Sequence, residues 1–304
     1  MVKWKGRSDG LCAHIFFKAG RNFPLALFSF TVEGWMYYSA VNTITTQMPL
    51  YLGWQSDSLL ISVRQLYYTI PTTLASVFII WYSTRLKEIK IPLVVCFILF
   101  LATACTYAGT QADWKDVQLG LNVLAGIGQA GPLTLLIVAI QFTAPHAYLS
   151  TATGLAFSFR AIGGAFGSAV LYTIINGHVV RNYNKEVTTA AVRAGLPAQD
   201  VPILLQVMAQ GNGPPTKEVL AAVLSQALPA ASMTIIIAAQ QAAYRVYAKA
   251  YGLAWASIIP FVVIAIVCCA LLKAVSQLMT EKVEAPVEKP QHIFEEKFPS
   301  EGGV

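Results

Sequence analysis

Thr151–Asn176 reads TATGLAFSFRAIGGAFGSAVLYTIIN. As a helix rising about 1.5 Å per residue it is about 39 Å long, more than the roughly 30 Å hydrocarbon core of a bilayer. It carries one charge, Arg160, and a set of small residues: Gly154, Gly163, Gly164, Gly167 and Ser168. A charged side chain is expensive in lipid and is kept where it faces a bundle interior or wet cavity, while small residues let helix backbones approach closely. The stretch therefore predicts a membrane helix inside a bundle, with Gly154, Gly163, Gly164 and Gly167 at helix contacts and Arg160 pointing inward.

The rest of the chain agrees. Of its 304 residues 56% are hydrophobic and 12% charged, against about a quarter charged in soluble domains, so it reads as an integral membrane protein. The net charge of +6 does not indicate a nucleic-acid partner, because the basic residues sit between apolar runs rather than on one face. Cys12, Cys96, Cys105, Cys268 and Cys269 show no metal or redox spacing, and His14, His146 and His178 have no helical partner. No metal site or cofactor is expected.

Taken in order, residues 1–23 form a basic segment with Lys3, Lys5, Arg7, Lys18 and Arg21, lacking the apolar core and cleavage site of a secretory signal. Spans are expected at Pro24–Leu52, Leu59–Tyr82, Ile91–Gly109, Gln118–Gln141, Thr151–Asn176 and Leu253–Leu272. The fold class is thus all-α integral membrane, a six-helix bundle. The short links carry Arg85, Lys87 and Lys90 on the side of the N-terminus, and on the other side only Lys115. That bias puts both termini in the cytoplasm. Gly177–Gly252 is then expected as an external loop with short amphipathic helices, its end 230–250 alternatively extending the last span. Lys273–Val304 is expected as a disordered cytoplasmic tail.

The first span is polar within, carrying Glu33, Asn42, Thr43, Thr45, Thr46 and Gln47, which suits a helix lining a wet cavity. Glu33 is the only acid inside a span and lies roughly 13 Å beyond Pro24, near the midplane. Arg160 reaches a similar depth, so the two are expected to approach each other or share polar partners. Either a structural ion pair or a titratable, substrate-facing site fits this placement. On the fourth span Asn122, Gly126 and Gln129 recur at helical spacing and predict a stripe facing the same cavity. Gly126–Gly131 spells G-x-G-x-x-G, but no strand precedes it and no acid follows at the required distance, so the glycines are read as packing residues. No catalytic pair is present, which argues against an enzyme.

Several stretches carry a resemblance: Trp4-x-Gly6-x-x-Asp9-Gly10-Leu11 with His14, Arg21-Asn22-Phe23-Pro24, Val32-Glu33-Gly34, Trp81-Tyr82-Ser83-Thr84-Arg85, Thr153-Gly154-Leu155, Arg160-x-Ile162-Gly163-Gly164 and Ala243-Tyr244-Arg245. Together they resemble the C-terminal half of a fungal major facilitator superfamily transporter, in the trichothecene efflux pump branch of the fourteen-span drug:proton antiporters, which is related to siderophore transporters. The likeness covers nearly all of residues 1–280. It implies proton-coupled export of small amphipathic molecules such as toxins or drugs at the plasma membrane, with siderophore-iron uptake as an alternative. From the placement of the polar and aromatic residues, the substrate or proton path is expected to run along Glu33, Tyr37, Asn42, Asn122, Gln129 and Arg160. A complete member has a further set of helices before this point, so a missing N-terminal half or self-association is expected as partner, beside the lipid bilayer, the substrate and protons. A truncated, non-transporting membrane protein is the rival expectation.

Overall fold

Proline and glycine mark several helix ends in this chain, while Pro71, Pro132 and Pro260 stand inside helices. A computed structural model describes residue 16 and residues 20–144, 148–208 and 232–273. Helix α1 (Asn22–Gly34) opens with Pro24 in its first turn, where a missing N–H costs nothing. It continues as a π-helical segment, Trp35–Ile44, and then as α2 (Thr45–Tyr51). The chain turns at Gly53, whose φ of 68° is left-handed. Asp57 caps α3 (Ser58–Leu86), its carboxylate accepting from the Leu59 N–H at 2.9 Å. The Glu88 carboxylate accepts from the Lys90 N–H at 2.8 Å and starts α4 (Lys90–Ala108). α5 spans Val117–Thr143 and α6 spans Leu149–Arg193. A 3-10 turn (Ala198–Asp200), α7 (Val201–Met208) and α8 (Met233–Ala270) follow.

α4, α5, α6 and α8 are each long and apolar enough to cross a membrane. α5 packs against α3 on one side and against α1 and α4 on the others, while α8 lies against α4 and α6, and α6 against α1. Phe97, Phe100, Tyr107 and Trp255 fill the centre, the last two stacked with centroids 4.6 Å apart. α3 stands at the perimeter and exposes Leu66, Ile70, Leu74, Val77, Phe78 and Trp81, a surface that lipid or another bundle would cover. Its hydroxyls do not spoil that surface, because Ser62, Thr69, Thr72, Thr73 and Ser76 each donate to the carbonyl four residues back.

The structure departs from the sequence expectation over 177–252. The fifth helix does not stop at Asn176 but runs to Arg193, and the last begins at Met233 rather than Leu253. No breaker interrupts Gly177–Arg193. The first stop is Gly195, at φ 102°, followed by Pro197. These extensions are polar enough to leave the bilayer, yet they bury a second core of their own: Val187 and Ala191 from α6, Leu204, Val207 and Met208 from α7, and Ile235, Ile236, Ala239, Ala242 and Ala243 from α8. Each piece alone looked too short or too polar, and their apolar sides become a core only when the three elements meet. Positions 209–231 of the expected loop lie outside the described residues, as do most of the basic N-terminal segment and of the tail.

The second core makes a prediction. Leu204 is fully buried there, so Leu204→Ala is expected to destabilise this extension by about 2–5 kcal/mol. Limited proteolysis should then cut near 195–208 well before the membrane bundle is attacked. Equal resistance in wild type and variant would show that the extension does not depend on this core.

Candidate functional site

Glu33 on α1 and Arg160 on α6 lie about 17 Å of helical rise beyond Asn22 and Leu149 respectively, and Gln129 lies about 18 Å beyond Val117 from the opposite end. All three therefore reach the middle of the bundle, and there they meet. The Arg160 Nε donates to Glu33 Oε2 and its Nη2 donates to Oε1 at 2.9 Å, a two-pronged pair. The Gln129 Nε2 donates to the same Oε1. Glu33 and Gln129 are fully buried, and Arg160 is 7% exposed.

Aromatic rings enclose the guanidinium. Its central carbon lies 5.5, 5.1 and 5.0 Å from the ring centroids of Phe30, Tyr37 and Tyr38, within cation–π range. Nη1 also donates to the Tyr38 hydroxyl at 3.2 Å. Neither Phe30 nor Tyr38 is among the path residues expected from sequence. The signal for Tyr38 is its place five residues after Glu33: an α-helix turns it aside, but the π segment, with its i→i+5 ladder, brings it round. Thr43 and Thr45 follow that wider turn, donating to the carbonyls of Tyr38 and Ala40 five residues back.

Glycines bring α1 and α6 this close. A Cβ on Gly34 would lie 2.0 Å from the Arg160 carbonyl oxygen, and one on Gly163 would lie 2.0 Å from that of Thr31. On Gly164 it would strike the Tyr38 ring at 2.7 Å, and on Gly167 the Trp35 ring at 2.2 Å. Gly126 holds the same position against α3, 2.5 Å from the Tyr68 carbonyl oxygen. Gly128 and Gly131 abut Phe100 and Cys96, so the G-x-G-x-x-G run is a packing surface for α3 and α4. Gly154 is the exception: a Cβ there would meet nothing within 4 Å. The packing role expected for it does not arise, because it lies on the open side of α6.

Two other expected residues sit elsewhere. Asn122 is buried but accepts from the Tyr107 hydroxyl at 2.9 Å, so it belongs to the contact between α4 and α5 rather than to the Glu33 cluster. Asn42 is exposed and shares an open stripe with Tyr38, Thr43 and Gln47. Among the described residues no group of His, Cys, Asp and Glu could hold a metal ion.

The Tyr38 contact is testable separately from the ion pair. Tyr38→Phe keeps the ring over Arg160 and loses one hydrogen bond, so a loss of about 1 kcal/mol is expected, with Tyr38→Leu losing a further ~0.5–1 kcal/mol. Thermal unfolding in mild detergent should rank wild type above Phe above Leu. If Leu and Phe were equal, the ring would contribute nothing.

A bundle of membrane-length helices holding a carboxylate, a guanidinium and aromatic rings at mid-depth defines a multi-pass membrane protein with a polar centre. Residues 7–168, more than half of the chain, match the Major Facilitator Superfamily, and the chain belongs to that superfamily of membrane transporters. It is similar to the MFS-type transporter prx5 of Penicillium rubens, 28% identical over 168 residues. That match covers 55% of this chain and 28% of the relative, so the chain aligns with well under half of that protein. No solved structure matches the chain.

Proposed function

We propose that this chain forms one wall of a transporter that exports small amphipathic molecules, such as toxins or drugs, by proton-coupled alternating access. The observation that carries the reading is the buried Glu33–Arg160–Gln129 cluster, joined through the Tyr38 hydroxyl to the exposed polar stripe of Tyr38, Asn42, Thr43 and Gln47. A polar stripe facing lipid is unfavourable, so a second helical half, or another copy of the chain, covers it and supplies the opposite wall. Glu33 is the proton site in this reading. Protonation removes its charge and loosens its hold on Arg160, and the cost of leaving the guanidinium with only Tyr38 and the surrounding rings couples proton binding to the conformational change. Substrate binds beside Tyr37, Tyr38 and Asn42. The location is the plasma membrane, with Met1 and Val304 in the cytoplasm and residue 200 outside.

The test is uptake of a fluorescent amphipathic cation into inside-out vesicles carrying the chain, alone and with a complementary six-helix half. Gradient-driven uptake that needs the second half and is lost in Glu33→Gln is expected. Uptake unchanged in Glu33→Gln would overturn the role given to that carboxylate. Cysteines placed at positions 87 and 200 read the topology, and labelling of position 87 from outside intact cells would reverse it.

A further inference from the structure

A second place in the molecule has the features of a binding site. Where the helices of the bundle give way to the extension, a cavity of about 1150 Å³ opens between the 52–57 link, the 109–113 link and α8. It is an open cleft slightly larger than the roughly 300–1,000 Å³ of sites for drug-sized molecules. Its walls are fastened to one another. The Trp54 indole N–H donates to the Ala112 carbonyl at 2.6 Å, joining the two links. Gly53, at its left-handed turn, leaves room for the Tyr244 hydroxyl, which would lie 2.2 Å from a Cβ there. Gly252 of α8 meets the Ala108 carbonyl in the same way, 2.7 Å from a Cβ. The cleft is therefore pre-formed rather than a gap between loose loops.

Its charge is uneven. Arg245 and Lys249, one helical turn apart on α8, both line it, and Asp113 is the one carboxylate among its lining residues. Neither cation has an ion pair or a hydrogen bond among the described residues. Burial, and then the nearby Lys249 and Arg181, lower the pKa of His178 on α6. Like charges at i and i+4 repel each other, and they are retained here over an apolar and aromatic floor that includes Leu50, Trp54 and Tyr244.

The geometry points to a binding site for an amphipathic anion, whose carboxylate or phosphate is held between Arg245 and Lys249 while its apolar body lies against Trp54, Tyr244 and Leu50. The site is separate from the Glu33 cluster and does not depend on the chain transporting anything. A headgroup of an anionic phospholipid and a free organic acid share this chemistry.

The test uses the full chain in phosphatidylcholine nanodiscs and 11-dansylaminoundecanoate as probe, with its uncharged methyl ester as the matched control and protein-free discs subtracted. Arg245→Gln with Lys249→Gln is expected to weaken the carboxylate about tenfold and leave the ester unchanged. Asp113→Asn is expected to tighten the carboxylate. Raising salt from about 0.05 M to about 0.5 M should weaken the carboxylate alone. Discs containing phosphatidylglycerol separate the two sources: displacement of the probe from wild type marks the lipid headgroup as occupant, and undiminished binding marks a soluble acid. Equal carboxylate affinity in wild type and the double variant, or equal affinity for carboxylate and ester, would overturn the site. Should the double variant fail to fold, the opposite shift in Asp113→Asn and the salt dependence decide on their own.

Discussion

Glu33→Gln is expected to lower the stability of the bundle by about 3–5 kcal/mol, whereas Glu33→Gln combined with Arg160→Gln recovers much of that loss. Removing one partner leaves a buried charge without compensation, and that penalty exceeds the net worth of the pair itself. In Glu33→Gln the guanidinium keeps its rings and the Tyr38 hydroxyl but loses a two-pronged carboxylate at mid-depth. Neutralising both residues removes the reason for the penalty. The readout is a double-mutant cycle on the thermal midpoint and on the yield of monodisperse protein in mild detergent. A double variant as unstable as the two single losses added together would show that the pair contributes nothing beyond its separate side chains.

Gly163→Ala is expected to be as damaging through sterics alone. The added methyl would lie 2.0 Å from the Thr31 carbonyl oxygen, and neither backbone can yield without separating α1 from α6. Overpacking costs about 1–3 kcal/mol where side chains can give way, and a backbone contact this close is expected to exceed that range. Separation of these helices also pulls Arg160 from Glu33, so the variant should lose stability and any activity that depends on the pair. Gly154→Ala is the matched control on the same helix. With open space around it, alanine is expected to be neutral or stabilising by about 0.4–1 kcal/mol, since it favours the helix and restricts the unfolded chain. Comparable loss in both variants would mean that α6 does not pack through this seam.

These two variants also separate what was legible in the residues from what was not. Glu33 and Arg160 stood out because a charge inside an apolar run is costly, and similar depth along two helices made their meeting the economical arrangement. Gly163, Gly164 and Gly167 could be read as a contact face from their spacing. Gly154 could not be distinguished from them, because a glycine at a contact and a glycine facing open space look alike until the neighbouring helix is placed. Asn122 shared the helical spacing of Gly126 and Gln129, yet Tyr107 was the nearer partner, and no period within one helix reveals which neighbour a polar group will find.

The sequence by itself determined the class of fold: long apolar runs with few charges require membrane helices, and four of the helices have that length and composition. It also determined which two charges sit at mid-depth, since helical rise is set by residue count. Only the tertiary structure decided how the ends of the helices are used. Gly177–Arg193 and Met233–Gly252 are polar enough to be taken for a loop, and they are helices because α6, α7 and α8 bury Val187, Leu204 and Ile235 among one another. The π turn was equally hidden. No local residue preference demands it, and it brings Tyr38 to Arg160 only where α1 and α6 already touch through Gly34 and Gly163.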